Sequence, residues 1–125
     1  MERKIVKCDK APGAIGPYVQ GVCVGDLVFL SGALGVDPVS GNLPEGIEAQ
    51  TKQAMQNIAA LLESEGLTFD NVVKTTCFLD KISDFGAFNE IYASYFGNTF
   101  PARSCFEVGA LPKAALVEIE VIAAR

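Results

Sequence analysis

The stretch Phe100-Pro101-Ala102-Arg103-Ser104-Cys105 sets an arginine at the mouth of an apolar strand. Arginine stays protonated and presents a flat fork of donors, so a partly buried one is well shaped to grip a carboxylate at two points. The competing reading of Arg103 is a structural salt bridge. A second oddity is Val117-Glu118-Ile119-Glu120-Val121, where two carboxylates interrupt an apolar run. A carboxylate in such a strand is costly unless it is paired, hydrogen-bonded or protonated. A solvated face or a subunit contact would satisfy both. If Glu118 instead lines the cleft that Arg103 opens onto, it could orient or deprotonate a water while the arginine holds a substrate carboxylate.

Other chemistries find less support. The chain has no histidine, so Cys105 lacks the usual base for making a thiolate and reads as a packing or backbone contact. Ser31 sits in Leu30-Ser31-Gly32, without the strand-turn-helix elbow of a serine nucleophile, but it can donate a hydrogen bond. No glycine-rich nucleotide fingerprint is present, and the spacing of Cys8, Cys23, Cys77 and Cys105 suggests no metal site. Lys and Arg total 10 against 15 Asp and Glu, a net charge of −5, and only Arg3 and Lys4 are adjacent, so no basic stripe invites nucleic acid. With no run of 18 apolar residues and no export signal, the expectation is a cytoplasmic protein with reduced thiols and no membrane span. Half the residues are hydrophobic, which at 125 residues is ample for one domain and suggests burial against further copies of the chain.

The elements that must position these groups follow from pattern. Residues 4–7 read as a short edge strand, and Ala11-Pro12-Gly13-Ala14-Ile15-Gly16-Pro17 as a loop delivering Tyr18 and Gln20. Val19–Val24 and Leu27–Leu30 form a hairpin about Gly25-Asp26, and Ala33–Gly46 reads as an extended surface connection. Apolar or small positions from Ile47 to Leu62 recur at threes and fours, which predicts a helix over 47–64 stopped by Gly66, with Met55 as core filling. Asn71–Leu79 is a strand with Val73, Thr75, Cys77 and Leu79 on one face. A second helix over Phe85–Phe96, capped by Ser83 or Asp84 and ended by Gly97, carries an aromatic stripe of core type, with Asn89 one position off it and able to reach a cleft. Strands Arg103–Val108 and Leu116–Ala123 complete an α+β domain, β-β-β-α-β-α-β-β, with both helices on one face of a largely antiparallel sheet.

These residues resemble the RidA, or YjgF, family nearly end to end. The likeness is carried by Ala14-Ile15-Gly16-Pro17-Tyr18-Val19-Gln20-Gly21, Leu30-Ser31-Gly32, Val73-Lys74-Thr75-Thr76, Phe100-Pro101-Ala102-Arg103-Ser104, Leu111-Pro112-Lys113 and Val117-Glu118-Ile119-Glu120, in that order. The resemblance implies a chorismate-mutase-like subunit and a homotrimer with clefts between neighbouring subunits. It implies hydrolysis of 2-iminobutanoate and 2-iminopropanoate, released by pyridoxal-phosphate dehydratases, to 2-keto acids and ammonia without a cofactor. It assigns Arg103 to the substrate carboxylate, Glu118 to the water, and Tyr18, Ser31, Gly32, Asn89 and Cys105 to the lining, Cys105 mainly through its backbone. Ala33-Leu34-Gly35 departs from the glutamine and proline of many members, which bears on substrate range. The alternatives are a module that binds a small acid without turning it over and an RNA-cleaving inhibitor of translation.

Overall fold

The computed structural model describes residues 2–97 and 99–125. Strands β1 (Arg3–Val6), β2 (Gly21–Val24), β3 (Leu27–Leu30), β4 (Ala33–Leu34), β5 (Val72–Leu79), β6 (Ala102–Glu107) and β7 (Val117–Ala124) form one sheet, with helices α1 (Ile47–Ser64) and α2 (Phe85–Ala93) between them in sequence. The strand order is β1-β2-β3-β7-β5-β6, and β4 pairs with β7 beyond the end of β3. All pairings are antiparallel except β5 with β6, which are parallel because α2 is their crossover. The expected α+β class, with helices packed on a largely antiparallel sheet, is the observed one.

The core lies between the helices and one sheet face. Alternation along β7 sends Val117, Ile119, Val121 and Ala123 inward, all at most 2% exposed, while Glu118, Glu120 and Ile122 turn to the other face. Helix α1 meets them with Ala54, Met55, Ile58, Leu61 and Leu62, its apolar stripe at helical spacing. It stops at Gly66, which takes a positive φ of 73° so that its N–H donates to Glu63 O and the N–H of Leu67 reaches Leu62 O, the pairing of a Schellman turn. The far face of the sheet is uncovered in the single chain, and Leu27, Phe29 and Phe106 are each at least 40% exposed there.

Several local expectations change. The stretch after Gly32 is not simply a surface connection: Ala33 and Val36 are buried, Ala33-Leu34 pairs with β7, and the Asn57 amide donates to the carbonyls of Leu34 and Val36. Buried side-chain hydrogen bonds from a helix to a loop have no signature in the loop's own composition. Val73 faces solvent and Val72 the core, because the register shifts between Val72 and Lys74. Helix α2 ends at Ala93, not Phe96, and neither Ser83 nor Asp84 caps it by side chain; a 3-10 turn over Ile82–Asp84 runs directly into it, anchored where the Ile82 N–H donates to Glu107 Oε1.

Candidate active site

Arg103 projects from β6, an edge strand, on the helix-covered face. Its ladder partner on β5 is Thr75, whose side chain is fully buried beneath α2. Helix α2 presents Phe85, Phe88, Asn89 and Tyr92, spaced so that they fall on one side of its turns. The Arg103 Nη1 donates to Asn89 Oδ1 at 2.7 Å, and the guanidinium carbon lies 4.9 Å from the Tyr92 ring centroid, 5.4 Å from Phe85 and 5.8 Å from Phe88. No salt bridge reaches Arg103 among the described residues. The guanidinium is thus located by neutral groups that leave its charge unanswered.

Cys105 follows on the same strand face, opposite Cys77. Burial pushes the Cys105 thiol up, and the nearby Arg103 offsets this only in part. Cys77 is pushed up to about 12 by burial. Neither is a thiolate near neutral pH, so this corner has no sulfur nucleophile.

A second group gathers elsewhere. A cavity of about 740 Å³ is lined by Tyr18, Ser31, Gly32, Lys113, Glu118 and Glu120 among others. The loop before β2 is stitched by Gln20, whose Nε2 donates to the carbonyls of Cys8 and Pro12 and whose Oε1 accepts from the Cys8 N–H. Strand β2 starts at Gly21 rather than at Val19, and the Val19 carbonyl accepts from a side chain, Ser31 Oγ. Ser31 is pinned from both sides, its N–H on Gln20 O at 2.9 Å and its Oγ donating to Val19 O at 2.6 Å. Tyr18 stands half-exposed at the rim, its hydroxyl accepting from the Ile15 N–H at 3.4 Å. Gly32 lies so close to Glu118 that a side chain there would run into the carboxylate. Burial and the neighbouring Glu120 push the Glu118 carboxyl above its ordinary value. Backbone strain marks the same cavity, since Lys113 and Ala114 hold φ of 59° and 55°.

The anticipated residues therefore fall into two sets: Arg103, Asn89 and Cys105 on one side, and Tyr18, Ser31, Gly32 and Glu118 on the other. Glu118 pairs with Phe78 on β5 and Arg103 aligns with Thr75, three residues earlier, so they emerge on opposite faces of the sheet. Within one chain they do not share a ligand. Sequence reasoning missed the rings around Arg103, because an aromatic helix stripe looks the same whether it fills a core or walls a cation. The offset position of Asn89 was the one available signal.

A family model described as endoribonuclease L-PSP matches residues 8–125. A Capra hircus protein named 2-iminobutanoate/2-iminopropanoate deaminase is 49% identical over 124 residues, covering 98% of this chain and 90% of that one. Among solved structures, the YjgF gene product of E. coli superposes with a TM-score of 0.94 at 43% identity, with 98% of each chain covered. E. coli TdcF, solved with bound serine, gives 0.94 at 42% identity, again over 98% of each chain.

Proposed function

The chain belongs to the endoribonuclease L-PSP family, within which its relatives are RidA-type deaminases, and from that premise we propose how its two half-sites act. The protein is a deaminase of reactive 2-imino acids, of the kind 2-iminobutanoate and 2-iminopropanoate, yielding the 2-keto acid and ammonia. Arg103 clamps the substrate carboxylate. Glu118 of a neighbouring subunit, with Tyr18, Ser31 and Gly32 beside it, supplies the water. The observation that carries this reading is the half-buried Arg103, held by Asn89 and ring faces with no carboxylate among the described residues in bridging distance. It is a cation set out for an anion that is not part of its own chain.

The chemistry needs little more. A protonated imine carries its own positive charge, so its carbon is already electrophilic. Water about 3 Å from that carbon adds as Glu118 takes its proton, giving a carbinolamine. The proton passes to the amino nitrogen, the C–N bond breaks as the hydroxyl gives up its proton to Glu118, and ammonia leaves the 2-keto acid. A raised carboxyl value suits a group that must accept and return a proton within one turnover. Asn89 and Cys105 complete the wall on the arginine side. No step calls for a redox group or an electron sink, so the reading includes no cofactor.

The exposed apolar face bearing Leu27, Phe29 and Phe106 supports a homotrimer, which would bring one chain's Glu118 to its neighbour's Arg103. Four free cysteines fit a reducing cytoplasm, and no described helix is long and apolar enough to cross a membrane. The family description favours RNA cleavage as a second reading, against which stand the net charge of −5 and the lack of any histidine base.

Mixed oligomers test the two-chain site. Arg103→Ala and Glu118→Gln chains are each expected to be nearly inactive in a coupled dehydratase assay of imine hydrolysis. If they are unfolded and reassembled together, about a quarter of the intersubunit sites in a random trimer regain both wild-type groups. Recovery near that level supports the reading, and no recovery, with trimers confirmed, would sink it. RNA incubated with highly purified wild-type protein and with Arg103→Ala decides the second reading.

A further inference from the structure

We propose that Tyr92, tethered through its hydroxyl to Thr75, is a positioning residue that aims Arg103 at the substrate carboxylate. This rests on the assignment of Arg103 as the carboxylate clamp.

Arg103 extends from an edge strand on a long, flexible side chain, and its position must be set by something other than an ion pair. A carboxylate would hold it but would compete with the substrate for the same fork. A ring face attracts the cation through its quadrupole and leaves every N–H free for an anion. Of the three rings nearby, Tyr92 is the nearest at 4.9 Å. Phe88 is fully buried but has no polar group to fix its orientation, whereas Tyr92 has both burial and a tether. Phe85 opens α2 and is 37% exposed, whereas Tyr92 is 4% exposed and packs its ring against Phe88 and Phe96 at centroid distances of 5.4 and 4.9 Å.

The tether adds what packing alone does not. The Tyr92 hydroxyl and Thr75 Oγ1 lie 2.8 Å apart, both residues buried. Thr75 is also the ladder partner of Arg103, so one rung of the β5–β6 pairing carries both the arginine and the anchor of the ring that steadies it. A phenylalanine over a valine would fill nearly the same space. The paired hydroxyls fix the ring's orientation, and with it the direction of the guanidinium. Asn89 fixes one nitrogen of the fork from the side. Together they locate a cation without neutralising it.

The test separates positioning from core packing by the split between KM and kcat. Tyr92→Leu is expected to raise KM for the imino acid about tenfold with kcat within about twofold, and to weaken inhibition by the product 2-keto acid by the same factor. The double variant Tyr92→Phe with Thr75→Val keeps the packing volume and loses only the tether; its KM should rise about threefold, and it still reports if Tyr92→Leu does not fold. Leu62→Ala, a fully buried position on α1, supplies comparable destabilisation and should leave KM unchanged. If Arg103→Ala is severely impaired while the two Tyr92 variants keep the wild-type KM, the positioning role is wrong and the clamp stands. If Arg103→Ala itself keeps the wild-type KM, the clamp assignment fails first. A KM raised equally in Leu62→Ala would reduce Tyr92 to ordinary core packing.

Discussion

Arg125 and Arg103 are both arginines at the margin of the same sheet, and they are held in opposite ways. Arg125 donates to Glu65 Oε1 at 2.9 Å and to the Glu65 carbonyl at 2.8 Å, and Lys4 joins the same carboxylate at 3.1 Å. Burial alone would push the Glu65 carboxyl up; the hydrogen bonds from Lys4, Cys23 and Arg125 outweigh it and hold the carboxyl below its ordinary value. At the other site Arg103 has Asn89 and ring faces, and Glu118 on the opposite sheet face is pushed upward by burial and by the like charge of Glu120. One region has closed its charges on each other. The other keeps a cation and a carboxylate apart, neither answered by an opposite charge among the described residues, as the proposed site requires.

The sharpest way to break this contrast is to remove each arginine. Arg103→Ala is expected to lower kcat/KM for imine hydrolysis by about a thousandfold, since a desolvated two-point contact to a carboxylate is lost. Its thermal stability should be close to wild type, because no carboxylate is left stranded. Arg125→Ala should do the reverse, leaving kcat/KM unchanged while costing about 1–2 kcal/mol of stability through the partly orphaned Glu65. Kinetics and thermal unfolding of the two variants check this directly. A stability loss in Arg103→Ala with full activity would make it a second structural arginine.

The carboxylate half of the site gives the next effect. Gly32→Ala should lower kcat/KM about tenfold, because the new methyl meets the Glu118 carboxylate and would move it from the position the proposed mechanism gives it beside the attacking water. The expected recovery is partial in Gly32→Ala with Glu118→Asp, whose shorter side chain makes room, and no recovery would count against a steric cause.

How much of this was legible depends on whether the signal is local. The helix over 47–64 and the inward and outward alternation of β7 were readable because periodicity is local, and the paired carboxylates stood out against an apolar strand. The burial of Ala33 and Val36 was not, because this stretch is held where Asn57 donates from a helix to the carbonyls of Leu34 and Val36, 23 and 21 residues earlier in sequence. The exposure of Val73 turned on a one-residue register shift that no composition announces. Arg103 and Glu118 could each be singled out from sequence. That they emerge on opposite sheet faces follows only from the β5 register, where Thr75 and Phe78 carry their partners.

The two carboxylates should also tilt the molecule's pH response in opposite directions. Glu65, depressed in the fold, contributes stability that is present at neutral pH and is lost as pH falls through its folded value. Glu118 is raised, so the fold disfavours its ionised form and that penalty is relieved as pH falls toward the ordinary carboxylate range. In activity, the acid limb of the kcat/KM profile should lie above that range. Glu120→Gln removes the like charge and should move the limb to lower pH, with little change at its plateau. A limb that stays in place would assign it to a group other than Glu118.

The smallest effect expected is at Cys105, which shares a strand face with Arg103 and would be the natural suspect for covalent catalysis in a chain without histidine. A nucleophilic cysteine needs a thiolate, and here burial raises the thiol while the nearby Arg103 only partly compensates. Cys77 across the ladder, pushed up to about 12, supplies no base either. Cys105→Ala should therefore keep kcat/KM within about threefold of wild type, the remainder reflecting the lost contact in the cleft wall. Iodoacetamide should alkylate Cys105 slowly near neutral pH and faster as pH rises, without the low-pH plateau that an activated thiolate gives. A thousandfold loss in Cys105→Ala, matching Arg103→Ala, would mean that the arginine serves the sulfur rather than the substrate. It would then act as the partner of an internal anion, as Arg125 does for Glu65, and the distinction between the two regions would collapse.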